Sequence, residues 1–188
     1  MKSKEWWRNN SETWLKKMES WERADKGNTK HFQDEEDFLF NEIVTSDKLK
    51  ILEVGAGDGR IIGRLSNLKQ TFSIDINPEL SDYVSQKYYN VDTFVGEIID
   101  LPFKDKEFDL VFTHEVLQHI EPDEIDKAIS ELLRVGKEVW CMESWRDTKD
   151  GEKVSDSHCG RWNWDLKKRM PFYYDFYTDW GQIFIKVK

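Results

Sequence analysis

The stretch Glu53-Val54-Gly55-Ala56-Gly57-Asp58-Gly59-Arg60 decides the fold. The apolar run KILEV ends in it, and the helical run IIGRLSNL follows it directly. Its three glycines let backbone N–H groups and the start of a helix approach a ligand without a clash from Cβ atoms. In an open parallel sheet, ligands bind beyond the carboxyl ends of the strands, so this order predicts a ligand site at the end of the first strand.

The middle of the chain repeats this alternation of strand and helix. β-Branched runs predict further strands, and amphipathic runs predict helices between them. The strand runs are TFSIDI, DTFVGEI, FDLVFTHEV and EVWCMES, and the helical runs are LSDYVSQKYY and DEIDKAISELLRV. Because helical crossovers join parallel strands with a right-handed turn, the pattern predicts an α/β fold with a doubly wound, mostly parallel, Rossmann-like sheet.

The pattern changes after Glu143. A polar loop, WRDTKDGEKVSDSHCGRWNW, precedes a short basic helix, DLKKRM. Two aromatic runs follow, FYYDFYTDW and QIFIKVK. These runs predict an antiparallel C-terminal hairpin that closes one edge of the sheet.

The chain of 188 residues fits a single domain, because domains cluster near about 100–150 residues. We expect residues 1–188 to form that domain, with an N-terminal helical cap at 1–46 and the Rossmann-like core at 47–188.

The N-terminal helical cap begins with a tryptophan stripe. Trp7, Trp14 and Trp21 share one face of a helix predicted from Trp6 to Trp21. The stripe either packs an apolar face on the core or serves as a lid that closes over a ligand and excludes water.

Composition excludes several classes of partner. The formal charge of −9 lacks the basic field that binds nucleic acid, while 14% aromatic residues indicate a folded chain. No run approaches 18 uncharged apolar residues, so we expect no membrane partner. Two cysteines cannot form a disulfide framework, which favours a cytoplasmic location. The expected partner is a small-molecule substrate, and the oligomeric state stays open.

An acid in the second strand run completes a nucleoside site. Asp75 follows Gly55 by 20 residues, and a carboxylate at the tip of the neighbouring strand accepts hydrogen bonds from both ribose hydroxyls. Dinucleotide-binding turns read G-x-G-x-x-G, but Arg60 stands where the third glycine would be. The Glu53 carboxylate repels a pyrophosphate and suits an ammonium or sulfonium, so the ligand has a positively charged end.

Four motifs in order resemble the class I S-adenosylmethionine-dependent methyltransferases. Glu53–Gly59 is similar to their first motif, and Asp75 followed by Ile-Asn-Pro is similar to their second. Gly96–Phe103, together with Phe108–Val111, resembles the signature of their small-molecule branch. Thr113–Ile120 resembles the segment after their fourth strand. The resemblance implies S-adenosyl-L-methionine as the cofactor.

The resemblance also implies which residues bind the adenosine. Asp75 holds the ribose, and Ile76 covers one face of the adenine. Glu97 accepts a hydrogen bond from the adenine amino group, in a position where the family usually has aspartate. The Ile98 amide supports the ring edge.

A second group is implied at the methionine end. Its members are Glu53, Gly55, Ala56, Gly57, Thr113 and His114. The backbone of the turn passes close to the methionine, and Glu53 orients the turn or the ammonium through water. Thr113 and His114 follow the fourth strand and face the substrate.

Three histidines are candidates for a general base or a substrate contact: His114, His119 and His158. His114 follows a parallel strand and points into the ligand crevice. His119 also suits an anchor for its loop, and His158 lies in the polar loop that could cover the site. No metal is expected, because the His158-Cys159 pair lacks a second ligand pair at short spacing.

These observations predict methyl transfer to an oxygen or nitrogen of a small molecule. A basic cluster of Arg161, Lys167, Lys168 and Arg169 is either a solvated helix face or a site for an anionic substrate, such as a carboxylate or a phosphorylated sugar. The alternative is a non-catalytic S-adenosylmethionine-binding partner or regulatory protein. A nicotinamide oxidoreductase is disfavoured by the glycine spacing.

Overall fold

The computed structural model describes residues 3–16, 30–145, 149–155, 160–178 and 182–188. Its strands in chain order are β1 (Lys50–Val54), β2 (Gln70–Asp75), β3 (Val91–Val95), β4 (Phe108–His114), β5 (Gly136–Ser144), β6 (Glu152–Ser155), β7 (Arg161–Asn163), β8 (Phe172–Tyr177) and β9 (Gln182–Val187). Its helices are α1 (Ser3–Arg8), α2 (11–16), α3 (Lys30–Thr45), α4 (Ile62–Leu65), α5 (Pro78–Lys87), α6 (Ile125–Val135) and α7 (Leu166–Arg169). A 3₁₀ turn covers Leu117–His119.

Seven strands of the described residues form one sheet in the order β3-β2-β1-β4-β5-β9-β8. The first five strands of the chain pair in parallel, with Ile51 of β1 opposite Thr71 of β2 and Leu110 of β4. β9 runs antiparallel to both β5 and β8. The mostly parallel sheet and the antiparallel C-terminal hairpin predicted from the sequence are therefore confirmed.

The core has two halves, one on each face of the sheet. Neighbouring residues of β1 point to opposite faces, because side chains alternate along a strand. Ile51 joins Leu39 and Ile43 of α3 on one face, and Leu52 joins Leu132 of α6 on the other. Helices on both faces leave the carboxyl ends of the parallel strands open as the position for a site.

The N-terminal helix predicted from Trp6 to Trp21 is two helices where the structure describes it. The Nδ2 atoms of Asn9 and Asn10 donate to the carbonyl oxygens of Glu5 and Trp6, each at 2.7 Å. Asparagine side chains that bond the backbone compete with helix propagation, so α1 ends and α2 begins at this pair. Trp21 lies outside the described residues.

The polar loop predicted between β5 and the basic helix contains a small antiparallel pair. β6 and β7 pair with Glu152 opposite Asn163 and Lys153 opposite Trp162. Trp162 and Trp164 are buried in the core half that contains α6. Within the described ranges, no helix is long and apolar enough to cross a membrane.

Candidate active site

The glycine turn after β1 needs the conformational freedom of glycine. Gly55 and Gly57 have φ values of +75° and +56°, which side chains rarely tolerate. Gly55 N donates to Ile74 O of the neighbouring strand at 2.8 Å. Gly57 N donates to Oδ2 of Asp75 at 2.9 Å. The turn is therefore tied to the end of β2 at two points.

Asp75 joins this turn to the start of α5. Its Oδ1 accepts from Asn77 N at 2.9 Å, and the Asn77 side chain in turn caps α5. Burial raises the pKa of the Asp75 carboxyl, while the N–H groups of Asn77 and Gly57 oppose that rise. With the N–H group of Ile76 included, the carboxylate accepts three backbone bonds, and of its roughly four acceptor sites one stays open for a ligand hydroxyl.

Glu53 is buried at the end of β1 with 3% of its surface exposed. Its Oε2 accepts from Ile62 N at 3.0 Å, so it satisfies an N–H group at the start of α4. Burial raises the pKa of Glu53 well above its ordinary value. In the structure Glu53 thus fixes α4 behind the turn, which supports the predicted orienting role and leaves a contact with an ammonium as a prediction.

The N-terminal helices form a wall over the turn. A Cβ atom on Gly57 would lie 3.2 Å from Nε1 of Trp14, and the Trp14 ring lies 5.2 Å from the Trp7 ring. The carbonyl oxygen of Trp7 accepts from Nδ2 of Asn77 at 2.8 Å. Trp7 and Trp14 therefore pack on the core and lie over the glycine turn at once, so for these two residues both interpretations apply.

Glu97 is held by α1. Arg8 NH2 lies 2.5 Å from one of its carboxylate oxygens, and Lys4 Nζ lies 3.4 Å from the other. Although burial opposes ionisation, these two cations hold the pKa of Glu97 below its usual value. An adenine amino group bonded to Glu97 would share this carboxylate with Arg8 and Lys4 of α1. Ile76 and Ile98 are half-buried, and Ile98 packs against the core.

The end of β4 is braced by Glu143 of β5. Thr113 Oγ1 donates to Oε1 of Glu143 at 2.7 Å, and Leu117 N donates to Oε2 at 2.9 Å. Glu143 is 2% exposed. Burial, with a contribution from the charge of Glu115, raises the pKa of Glu143 to about 8. In the structure Thr113 is thus occupied by a buried carboxyl group rather than directed at a ligand.

His114 is the predicted base that the structure places at the site with an available nitrogen. Its side chain is 13% exposed, and Nε2 lies 3.5 Å from Oε2 of Glu35. Among the described residues, this buried Nε2 has no hydrogen-bond partner. His119, by contrast, lies with Nδ1 2.8 Å from Gly160 O and its ring 4.9 Å from the Trp7 ring. His158 lies outside the described residues.

Three polar residues beside His114 were not predicted: Glu35, Glu115 and Gln182. Glu35 falls on the same helix stripe as Leu39 and Ile43, at a spacing of four residues, so a carboxylate in a buried stripe was the available signal. Glu115 follows His114 directly, at the end of β4, and has a φ of +58°. Gln182 is brought in by β9 pairing with β5, which local patterns do not reveal.

Alanine at Gly55 is expected to destabilise the fold by about 2–4 kcal/mol. The new Cβ would lie 2.5 Å from Cγ2 of Val116, and the φ value adds strain. Urea denaturation measures the change. Gly151→Ala is the matched control, since its φ is +74° but its nearest contact is 3.4 Å, and we expect a loss of about 1–2 kcal/mol. Equal losses in the two variants would show that Val116 does not crowd the turn.

Comparison with protein families agrees with this arrangement. Residues 52–138 match the family model described as a methyltransferase domain. An uncharacterized methyltransferase-like protein of Schizosaccharomyces pombe is 28% identical over 113 residues, which cover 59% of this chain and 44% of that protein. Phosphoethanolamine N-methyltransferase 1 of Zea mays is 28% identical over 113 residues, 55% of this chain and 23% of that enzyme. The chain thus spans less than half the length of these curated relatives.

Solved structures share the fold. The magnesium protoporphyrin IX methyltransferase of Synechocystis, solved with bound SAH, superposes with a TM-score of 0.70 at 12% identity and covers 97% of this chain and 96% of its own. The PH0226 protein of Pyrococcus horikoshii gives a TM-score of 0.68 at 16% identity, with 85% and 90% covered.

The residues around the turn fit S-adenosylmethionine. The glycines leave room for backbone contact, Asp75 keeps a lone pair for a ribose hydroxyl, and the acids Glu53 and Asp75 offer no positive charge to a pyrophosphate. Nε1 of Trp7 is buried and has no hydrogen-bond partner within the described ranges, so it is a donor for a ligand. The family match at residues 52–138 includes this turn, so the candidate site lies in the part of the chain that is similar to a methyltransferase domain.

Proposed function

We propose that this protein transfers the methyl group of S-adenosylmethionine to an oxygen or nitrogen atom of a small molecule. One observation carries the proposal. His114 ends β4, next to the glycine turn on β1, and its buried Nε2 has no partner among the described residues. A base beside the cofactor site is what a hydroxyl or amine acceptor requires.

The chemistry requires little of the protein beyond alignment and exclusion of water. The cofactor, when bound, supplies a methyl group already activated by a positively charged sulfur. Holding the acceptor in line with that methyl group can supply roughly 7–11 kcal/mol in favourable cases. The wall of α1 and α2 excludes water, and the indoles of Trp7 and Trp14 favour a nearby cation.

His114 has the position to move the proton. An acceptor hydroxyl or amine gives its proton to Nε2 of His114, and the freed lone pair forms the new bond to the methyl carbon. The electron pair of the broken carbon–sulfur bond remains on sulfur. Glu35, 3.5 Å from Nε2, stabilises the imidazolium that results.

Methyl-labelled S-adenosylmethionine, incubated with a small-metabolite extract, tests this function. We expect label to enter small molecules, and His114→Ala to lower the rate by about 10²–10⁴-fold, far more than it lowers the affinity for S-adenosylhomocysteine. His119→Ala is the comparison variant, and its effect should be smaller because its ring contacts Gly160 and Trp7.

Two outcomes would contradict the proposal. Binding of S-adenosylhomocysteine without any transfer of label would favour the non-catalytic binding protein. Transfer by His114→Ala at the wild-type rate would remove His114 from the reaction.

A further inference from the structure

A buried polar cluster lies beside His114, on the side away from the glycine turn. Nε2 of Gln182 donates to Oε2 of Glu35 at 2.6 Å and to Oε1 of Glu115 at 2.9 Å. Oε2 of Glu35 also lies 3.5 Å from Nε2 of His114. Four parts of the chain therefore meet here: α3, the end of β4, Glu115 directly after β4, and the start of β9.

Gln182 leaves an acceptor atom unsatisfied in this cluster. Its amide orientation is fixed, because the NH₂ group faces two carboxylates that can only accept. Its Oε1 is buried and has no hydrogen-bond partner among the residues described, and the residue is only 4% exposed. Nε2 of His114 is in the same condition. Buried polar atoms are nearly always bonded, so two unpaired atoms together indicate a ligand with donor groups.

The charge of the cluster selects the kind of ligand. Glu35 and Glu143 are 1% and 2% exposed, and Glu115 lies beside them. Arg161 approaches Glu115 at 3.6 Å. Burial, with a smaller contribution from the charge of Glu115, raises the pKa of Glu143 to about 8, so Glu143 adds a buried acid that is largely uncharged at neutral pH. An anionic ligand would be repelled here, whereas a cation would be attracted.

The basic cluster considered for an anionic substrate is neutralised by neighbouring acids. Lys167 pairs with Asp175 at 2.7 Å, and Lys168 pairs with Asp165 at 2.7 Å. Arg169 contacts Asp126 and lies 2.8 Å from Asp150. Arg161 donates to Oε1 of Gln118 at 2.8 Å. These cations are thus already matched by acids or amides, which removes the support for an anionic acceptor.

The adenosine part of the cofactor does not account for these acids. The order β2-β1-β4-β5-β9 puts Asp75 on one side of the turn and Gln182 on the other. Gln182 lies three strands from β1, roughly 14 Å at about 4.8 Å per strand. A nucleoside that extends from the turn toward Asp75 therefore runs away from Gln182.

We propose that Glu35, Gln182 and His114 bind the methyl acceptor, and that this acceptor is a protonated amine. The inference rests on the proposed methyl transfer and names its substrate class. The ammonium donates to Oε1 of Gln182 and to Glu35, and it gives one proton to Nε2 of His114. The nitrogen lone pair then forms the bond to the methyl carbon, and the pair of the broken carbon–sulfur bond stays on sulfur.

Ion-exchange fractionation of the labelled products tests the substrate class with the wild-type protein. A methylated amine remains a cation at pH 7, so we expect the transferred label to be retained on a cation exchanger. Label found in the unretained fraction or on an anion exchanger would overturn the amine proposal and leave methyl transfer intact. No label in any fraction would overturn the proposed function, and the amine proposal with it.

Glu35→Gln tests the binding residues. With the cation-retained fraction of the extract as acceptor, in a dilution series, we expect the apparent KM to rise about 10- to 100-fold. The affinity for S-adenosylhomocysteine should change less than about twofold, because the polar contacts of Glu35 in the described part of the chain are with Gln182 and His114. An unchanged KM, or a parallel loss of S-adenosylhomocysteine binding, would overturn the assignment.

Glu42→Gln is the matched control for this variant. Glu42 lies on the same helix and pairs with Lys186 at 2.7 Å, far along α3 from His114. The same chemical change there should leave KM at the wild-type value. A rise in both variants would indicate a general effect on α3 rather than loss of an acceptor contact.

Discussion

Replacing Asp75 with alanine is expected to weaken S-adenosylhomocysteine binding by about 10- to 100-fold, or 1–3 kcal/mol. The carboxylate is the predicted ribose acceptor, and it also receives the N–H groups of Gly57 and Asn77, both at 2.9 Å. The variant therefore loses a ligand contact and the tie that holds the turn against β2. Titration calorimetry gives the affinity directly.

Two further variants separate these contributions. Asp75→Asn keeps an oxygen but presents an NH₂ group toward a donor, so we expect a loss of the same order. Asp92→Ala removes an exposed carboxylate from the neighbouring strand β3 and should bind normally. Circular dichroism checks that each variant is folded. Unchanged affinity in folded Asp75→Ala would mean that the ribose is held elsewhere.

Stability should fall as the pH rises from about 5 to 8, and Glu143→Gln should remove much of that fall. The pKa of Glu143 is about 8 in the folded protein, against an ordinary value of 4.5. The folded state thus binds the proton more tightly than the unfolded state between these values. In this pH range, Glu143 alone lowers the free energy of unfolding by up to about 1.4 kcal/mol for each unit by which the pH rises.

Chemical denaturation at pH 5, 6.5 and 8 measures this slope. Glutamine can accept from Leu117 N and donate to the Thr113 hydroxyl, so it keeps both contacts without a charge. Glu138→Gln on the same strand is the control. Although burial opposes ionisation, Lys48, Tyr173 and Trp140 hold the pKa of Glu138 below its usual value. Glu138→Gln should therefore lower the free energy of unfolding by the same amount at all three pH values. If Glu143→Gln kept the wild-type dependence of stability on pH, the pKa assigned to Glu143 would be refuted.

The fold could be predicted because its signals are local. Glycines at 55, 57 and 59 require positive φ values, and they stand between an apolar strand and a helix. β-Branched runs alternate with amphipathic ones at lengths that suit crossovers. The break at Asn9 and Asn10 was missed because helical periodicity continues through it, while two side-chain bonds to the backbone interrupt the helix.

The site could be predicted only in part. Asp75 and the turn were accessible because strand ends of a parallel sheet converge, and His114 followed from the same rule. Glu97 was assigned to adenine, but its pairing with Arg8 depends on where α1 packs. Gln182 reaches His114 through the register of β9 on β5, where it stands opposite Ser144. No local pattern specifies such a long-range register.

Strand β4 carries an ion pair at its start and a residue of the candidate active site at its end. At its start Asp109 binds Lys137 Nζ at 2.7 Å, and the hydrogen bonds from Lys137 and Lys50 N hold the pKa of Asp109 at about 2. His114 lies five residues further, roughly 16 Å away. Substitutions so far apart with no shared neighbour act independently. Substitutions near Asp109 can therefore change the thermal stability of the protein without affecting the acceptor site near His114, and the acceptor site can change without loss of stability at Asp109.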